Sequence, residues 1–424
     1  MPWRGPRRLD LRDSGQPVPL IASGAMARRV VHVRIASAKT NRVRFESLLD
    51  QTLADLVGAN LLRAPDDGGA RRSVAEAAAN RGVSPLDASS NDYLGFAAGC
   101  VSRETLGNPG AAASRLIHGS TAEHLNLEAE LASWVGTDQA LLFSSTYAAN
   151  LGLISALGMV GTVLLSDSAN HASLIDGARL SKATVQVIPH VDLAAMGAAL
   201  QHHRSARACW VVTESYFSMD GDGPDLRALR ALCDQNDACL IVDEAHALGV
   251  YGPSGGGRCS EVGVRPDILV GALGKAVGTQ GGFVAGSRPL RTLLWNRARS
   301  FVFSTAPSPR LADLTRAHVE LVRKAGSPRE ALAQNAAQLR TSLLDAGLPV
   351  APNSFGPIIS VILGSNERVL AAAAQLRSVG ILVQAIRPPT VPKGAARLRL
   401  TVKATFTAPD IDRLARAVIE ACAS

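Results

Sequence analysis

Aromatic side chains are scarce, at 4% of the 424 residues. Large rings therefore cannot dominate the interior. Glycine, with 38 residues, and frequent alanine suit closely packed helices and tight turns instead. No apolar run reaches the ~18–20 residues that would span a bilayer. The opening residues also lack the continuous apolar stretch of a secretory signal. The six cysteines (Cys100, Cys209, Cys233, Cys239, Cys259, Cys422) form no CxxC pair. That excludes the common metal and dithiol motifs and fits reduced, mostly buried thiols in a cytoplasmic protein.

Acids are nearly absent from the start of the chain. Residues 1–45 hold ten Lys/Arg and only two acids, Asp10 and Asp13. The net charge of +8 is thereby concentrated there, leaving 34 basic and 34 acidic side chains in residues 46–424. The body is formally neutral, so the overall charge gives no case for a nucleic-acid partner. A Pro/Gly/Arg-rich leader over residues 1–44 buries too little apolar surface to offset the entropy of ordering it. It reads as a disordered tail or a stretch upstream of a start at Met26. An Arg-rich transit peptide and a nucleic-acid arm are the other readings.

The 47% hydrophobic content supplies ample core, and the length suggests two or three domains. Short apolar runs alternate with amphipathic stretches from about Gln139. Seven strands are expected: Ala140–Phe143, Thr162–Leu165, Val185–Ile188, Cys209–Val212, Cys239–Val242, Ile268–Gly271 and Gly282–Ala285. Several are solidly apolar, as strands covered on both faces are. Helices are expected between them at Leu174–Leu180, Ala194–His202 and Asp225–Gln235. Such alternation predicts an α/β fold with a mostly parallel sheet, whose ligands sit beyond the carboxyl ends of the strands.

The pattern changes after about Ala317. Helices over Ala317–Gly326, Arg329–Ala346, Arg368–Val379 and Pro409–Cys422 combine with strands Ile358–Leu363, Leu382–Ile386 and Leu398–Val402. This predicts a smaller α+β domain over residues 317–424. A large domain over 96–316 and an N-terminal segment over 45–95 precede it.

Some motifs fail on inspection. The segment around Lys275 has the wrong spacing for a phosphate loop and no Ser or Thr after the lysine. Gly255–Gly257 reads as a plain turn, and His202-His203 as a solvated helix end. The informative feature is a series of strand ends. Asp243 stands where an apolar strand stops, with His246 three residues on. Lys275 follows another buried strand among small residues. His171 follows a third. Phe143–Asn150 reads as strand, turn and helix, whose N-terminus can bind an anion through backbone N–H groups.

Pyridoxal phosphate (PLP) chemistry needs these four elements together. A lysine amine joins the aldehyde, a carboxylate keeps the pyridine nitrogen protonated, an imidazole stacks on the ring and a helix N-terminus holds the phosphate. Each residue alone has a plainer reading: Asp243 as a helix cap, His171 as a core histidine, Lys275 as a surface lysine. Their ordered conjunction on one sheet favours the cofactor.

At these residues the chain resembles the α-oxoamine synthases, a branch of the fold-type I PLP enzymes. The resemblance runs from about Phe45 to the C-terminus. It is carried by "SSNDYLG" (Ser89–Gly95), "SRLIHGST" (Ser114–Thr121), "NHASL" (Asn170–Leu174), "TESYFSMDGD" (Thr213–Asp222), "DEAHALG" (Asp243–Gly249) and "GALGKAVGTQGG" (Gly271–Gly282). It implies that Lys275 carries the cofactor and acts as general base, that Asp243 faces the pyridinium nitrogen and that His171 stacks on the ring. Ser218 and His246 would bind the phenolic oxygen region. Thr146 and Tyr147 would give backbone N–H groups to the phosphate. Arg399, with Asn91 and Arg63 nearby, would hold the amino-acid carboxylate. Ser304 and Thr305 match a segment that reaches the neighbouring subunit's phosphate in a homodimer.

The segment Ala385–Thr401 is similar to that of family members joining L-alanine to a pimeloyl thioester, carried on coenzyme A or on acyl carrier protein. A glycine-using relative, another acyl chain and a catalytically silent binding protein are the alternatives. A PLP-fold transcription regulator would need a helix-turn-helix domain, which residues 1–45 are too short and too rich in Gly and Pro to form. Three departures from the family pattern stand out. Thr146 replaces a common Gly, Ala272 replaces a Thr or Ser that contacts the phosphate, and Gly110-Ala111-Ala112-Ala113 replaces a glycine-rich stretch. Loss of the hydroxyl at position 272 should weaken PLP binding by ~1.5–3 kcal/mol unless another donor substitutes.

Overall fold

The computed structural model describes residues 50–61, 69–97 and 108–423. The leader 1–44, Arg63 and Cys100 lie outside the described residues. The chain divides into two units, Met1–Ala59 and Asn60–Ser424. In the first, residues 50–58 are helical, and Gln51 Nε2 donates to Asp55 Oδ1 at 3.0 Å.

The second unit is built on a seven-stranded sheet. Its strands are β1 (Gln139–Phe143), β2 (Thr162–Asp167), β3 (Thr184–Ile188), β4 (Ala208–Glu214), β5 (Cys239–Asp243), β6 (Ile268–Ala272) and β7 (Gly282–Gly286). Each expected strand is present, extended by one to three residues. The spatial order is β1-β7-β6-β5-β4-β2-β3. β2, β3, β4, β5 and β6 pair in parallel, while β7 runs antiparallel to both β6 and β1. Six strands therefore point one way, and their carboxyl ends share one edge. The central strands β2, β5 and β6 bury nearly every residue, as their apolar composition requires. β3, one of the sheet's two outer strands, is largely exposed.

The helices between strands start where the sequence provides caps. Asp225 accepts from the N–H groups of Arg227 and Ala228, opening Leu226–Gln235. Asp192 accepts from Ala195, opening Leu193–His202. Small residues let helices approach closely. A Cβ on Gly177 would lie 2.8 Å from Ile154 Cβ, so only glycine lets Ala172–Leu180 sit this tightly on Thr146–Leu157.

A second sheet, β8 (Ile358–Gly364), β9 (Gln384–Ile386) and β10 (Ala396–Thr401), has β10 at its centre and is antiparallel throughout. The expected strand Leu382–Ile386 is two strands. Ile381–Leu382 pairs in parallel with Leu86–Asp87, and Gln384–Ile386 pairs with Arg397–Arg399. The helix expected from Ala317 begins earlier, at Pro309. Ser308 caps it through Leu311 N–H, and proline occupies its first position. Residue 317, placed as a domain boundary from the sequence, thus falls inside the continuous helix Pro309–Lys324. One apolar core also runs from Leu86 through Trp134 and Leu269 to Leu398 and Leu414.

Glu128 ties the first long helix to the sheet. Its carboxylate meets Arg115 at 2.9 Å and Arg291 at 3.0 Å, and accepts from Leu142 N–H. Arg115 and Glu128 are both buried, and the shared partners compensate their lost hydration.

Ala112, within the stretch that departs from the family's glycine-rich pattern, has φ of 61°. A Cβ in this left-handed region costs roughly 1–2 kcal/mol relative to glycine. Ala112→Gly should therefore raise stability by about 0.5–1 kcal/mol after the entropic cost of the new glycine. Denaturant titration checks this; an unchanged or lower midpoint would show that the turn holds no such strain.

Candidate active site

Five loops leave the shared carboxyl edge and carry the residues singled out from sequence. β1 ends before Ser145, which accepts from Ala148 N–H and caps the helix Thr146–Leu157. The first N–H groups of such a helix have no acceptor within it and point out of its end. Thr146 is not among the residues of positive φ, so its Cβ is tolerated where relatives have glycine. Gly282 makes room beneath this turn. A Cβ there would lie 2.4 Å from Thr146 N.

Lys275, Asp243 and His171 act on one another electrostatically. Burial lowers the Lys275 pKa to about 8, with Asp243 and Glu214 opposing the shift and Arg399 adding to it. Burial also lowers the pKa of His171, while Asp243 raises it and Lys275 lowers it. Each group thus lies within electrostatic reach of the others. The His171 residue as a whole stays accessible, although its ring packs against Tyr147 and bonds Ser173.

Asp243 is 4% exposed and closes β5. Its Oδ1 accepts from Ala245 N–H at 2.8 Å, and its Oδ2 from Asn150 Nδ2 at 2.7 Å. The same Asn150 amide donates to Ser173 Oγ at 2.9 Å, and Ser173 Oγ meets His171 Nδ1 at 2.8 Å. A continuous hydrogen-bonded chain therefore orients both the acid and the imidazole.

Three participants were not singled out from sequence. Asn150 is one. Glu214 is another: it ends β4, pairs in register with Asp243 across the sheet, and accepts from His171 N–H at 2.6 Å. Burial raises its pKa, Asp243 adds to the rise and Lys275 opposes it. Tyr93 is the third; its hydroxyl lies 2.7 Å from His246 Nδ1. Tyr93 and Glu214 lie inside quoted motifs, and Asn150 ends the strand–turn–helix segment Phe143–Asn150. Only Glu214 carried a usable sequence signal, an acid at the end of an apolar strand like Asp243.

His246 is buried, and burial together with the nearby charges of Lys275 and Arg399 holds it well below its ordinary pKa. With Nδ1 engaged by Tyr93, Nε2 is the nitrogen left for a ligand. Arg399 is 4% exposed. Its Nη2 donates to Asn91 Oδ1 at 3.0 Å, Nη1 to Thr401 Oγ1 at 3.1 Å, and Nε to the Ser218 carbonyl. These contacts fix the guanidinium plane, and Tyr93 also lies against it. Asn91, Ser218 and Arg399 thus meet as a group. Tyr147 turns its hydroxyl to Asp176 and its ring edge toward His171, with centroids 6.2 Å apart. Ala272 is buried at the end of β6 with no hydroxyl to offer. Ser304 and Thr305 sit in another setting, where Thr305 bridges Ser114.

These residues fit PLP. The donor set is an amine of lowered pKa, a fixed carboxylate, an imidazole and an open helix N-terminus, and Gly282 keeps the cradle clear.

Residues 85–418 match the family model described as aminotransferase class I and II. An 8-amino-7-oxononanoate synthase from Anaeromyxobacter dehalogenans is 42% identical over 373 residues, covering 84% of this chain and 93% of that protein. A serine palmitoyltransferase from S. paucimobilis, solved with a bound PLP–myriocin aldimine, superposes with a TM-score of 0.74 at 27% identity, covering 80% of this chain and 87% of that one. The 8-amino-7-oxononanoate synthase of Francisella tularensis superposes with a TM-score of 0.67 at 25% identity, covering 80% and 97%.

The lowered pKa gives a signed expectation. Below pH 8 the Lys275 amine is protonated and unreactive; above it the neutral amine accumulates. Borohydride-fixed labelling of the protein by PLP should therefore rise with pH around a midpoint near 8. A midpoint near 10.5, the ordinary lysine value, would show that burial does not act on this amine.

Proposed function

Because the chain belongs to the aminotransferase class I and II family, and within it to the 8-amino-7-oxononanoate synthases, we propose that it condenses L-alanine with a pimeloyl thioester. The products are 8-amino-7-oxononanoate, CO2 and the free thiol, a step of biotin biosynthesis. The observation that carries this reading is the electrostatic interaction of Lys275, Asp243 and His171 beside a fixed Arg399–Asn91 pair.

When bound, PLP supplies an aldehyde for an amine and a ring that absorbs the electrons of a carbanion. Lys275 would hold it covalently at rest. Asp243, oriented by Asn150 and Ala245, would face the ring nitrogen as a carboxylate. His171 would lie on the ring face, and His246 and Ser218 would serve the phenolic oxygen. The N–H groups of Thr146 and Tyr147 would take the phosphate.

Arg399 presents its guanidinium to the L-alanine carboxylate with Asn91 beside it, and the family resemblance assigns Arg63 to the same substrate. This fixes which bond at Cα stands ready to break, and such positioning lowers a barrier by several kcal/mol. Lys275, partly neutral near pH 8, removes the Cα proton as general base. The buried setting of Glu214 and Tyr93 excludes water from the back of the site.

The protein acts as a homodimer in this reading. The exposed Ile117 (78%) and Phe303 (73%) adjoin the Ser114–Thr305 bridge, which supports Ser304 and Thr305 reaching the partner's phosphate site. Five described cysteines are free, which supports a reducing, cytoplasmic setting. Among the described residues no helix is long and apolar enough to cross a membrane. The acyl group arrives on coenzyme A or on acyl carrier protein.

The test is CO2 and thiol release with L-alanine, glycine or L-serine against pimeloyl thioesters. L-Alanine should be used best by at least about tenfold, and Lys275→Ala should abolish turnover. Preference for glycine would assign the chain to a different branch of the same chemistry. Full turnover by Lys275→Ala would remove the basis of the mechanism.

A further inference from the structure

One half-buried charged group near the site takes no part in the steps above. His190 lies in the turn after β3, between two carboxylates. Its Nδ1 is 2.8 Å from Asp167 Oδ1, and its Nε2 is 3.0 Å from Asp222 Oδ2. Acceptors on both nitrogens require both to carry protons, so the ring is an imidazolium. Burial opposes that charge, but the hydrogen bonds and charges of Asp167 and Asp222 raise its pKa to about 10. Both aspartates are themselves buried.

The two carboxylates belong to separate segments. Asp167 ends β2 and is held in place: Oδ1 also accepts from Ala169 N–H and Oδ2 from Val191 N–H, each at 2.8 Å. Val191 adopts φ of 48°, a conformation that β-branched residues rarely take. The turn accepts this backbone while setting the imidazolium between its partners. Phe217 stands edge-on to the same ring, with centroids 4.5 Å apart.

Asp222 closes the loop that begins at Phe217, whose N–H donates to the Asp222 carbonyl at 2.8 Å. That loop is the seat of the substrate arginine. The Ser218 carbonyl accepts from Arg399 Nε, and Asp220 pairs with Arg397, two residues away on the same strand. The Met219 carbonyl accepts from the Ser360 hydroxyl, and the Gly221 carbonyl from Phe355 N–H. The loop therefore joins the large sheet to the strand that carries Arg399. On the large-sheet side, the imidazolium is its ionic tether.

We propose that His190 is a positioning residue for amino-acid recognition: by holding Asp222 to Asp167 it fixes the Phe217–Asp222 loop, and through the Ser218 carbonyl it sets the angle of the Arg399 guanidinium. The inference rests on Arg399 being the anchor of the L-alanine carboxylate. It predicts a defect felt chiefly in L-alanine binding, because the hydrogen bonds of His190 run to Asp167 and Asp222 and not to Lys275, Asp243 or the phosphate-binding turn.

The experiment compares wild-type holoenzyme with His190→Gln, Asp222→Asn and the double variant. The readouts are steady-state kinetics for each substrate and L-alanine titration of the visible absorbance of the bound cofactor. Each single variant should raise the L-alanine KM and half-saturation about tenfold, with kcat and the thioester KM within about twofold. The double variant should be no worse than either single, because each breaks the same link. Asp222→Asn keeps the shape of the side chain and carries the comparison if His190→Gln fails to fold. An unchanged L-alanine KM, an equal loss for both substrates or additive single effects would overturn the proposal. A wild-type holoenzyme unresponsive to L-alanine is the distinct failure of the reaction assignment. It also overturns this inference, since Arg399 would then anchor no such carboxylate.

Discussion

Parallel strand pairing is the constraint on which the site depends. Because β1, β2, β4, β5 and β6 point the same way, the segments that follow them leave from one edge. Thr146, His171, Ser218, His246 and Lys275 all lie within six residues of those strand ends. A parallel sheet must be covered on both faces, which is why its central strands are apolar throughout. The polar residues are accordingly pushed to the strand ends. The fold thus concentrates titratable groups where a ligand can meet them.

That concentration has an electrostatic consequence. Lys275, Glu214, Asp243, Arg399 and two histidines share a poorly hydrated region. Burial disfavours every charge, so the amine and imidazoles lose protons more readily and Glu214 holds its proton more tightly. Asp243 is served differently: two donors, Asn150 and the Ala245 amide, address its oxygens directly. Its neighbour across the sheet, Glu214, receives the His171 amide instead. Two acids one strand apart are distinguished by their hydrogen bonds rather than by residue type.

Much of the architecture was legible in the chain. The seven strands announce themselves as short apolar runs, and the caps at Asp192 and Asp225 mark helix starts by local chemistry that needs no tertiary partner. The reading was weaker where pairing partners lie far apart. A single apolar run over Leu382–Ile386 gave no sign that its halves join different sheets, because that depends on Leu86 and Arg397, distant in sequence. The helix expected from Ala317 starts at Pro309, although Ser308 and Pro309 are a recognised start signal.

The amino-acid sequence alone determined which residues could do the chemistry. An amine among small residues, an acid at a strand end and a histidine after a third strand are local facts of order and type. Tertiary structure decided what each group is held by: Asn150 on Asp243, Glu214 on the His171 amide, Tyr93 on His246, and the Ser218 carbonyl on Arg399. The physical reason is range. Hydrophobic periodicity and capping act over a few residues, whereas a hydrogen bond between residues 93 and 246, or 218 and 399, exists only after the strands and loops between them have packed.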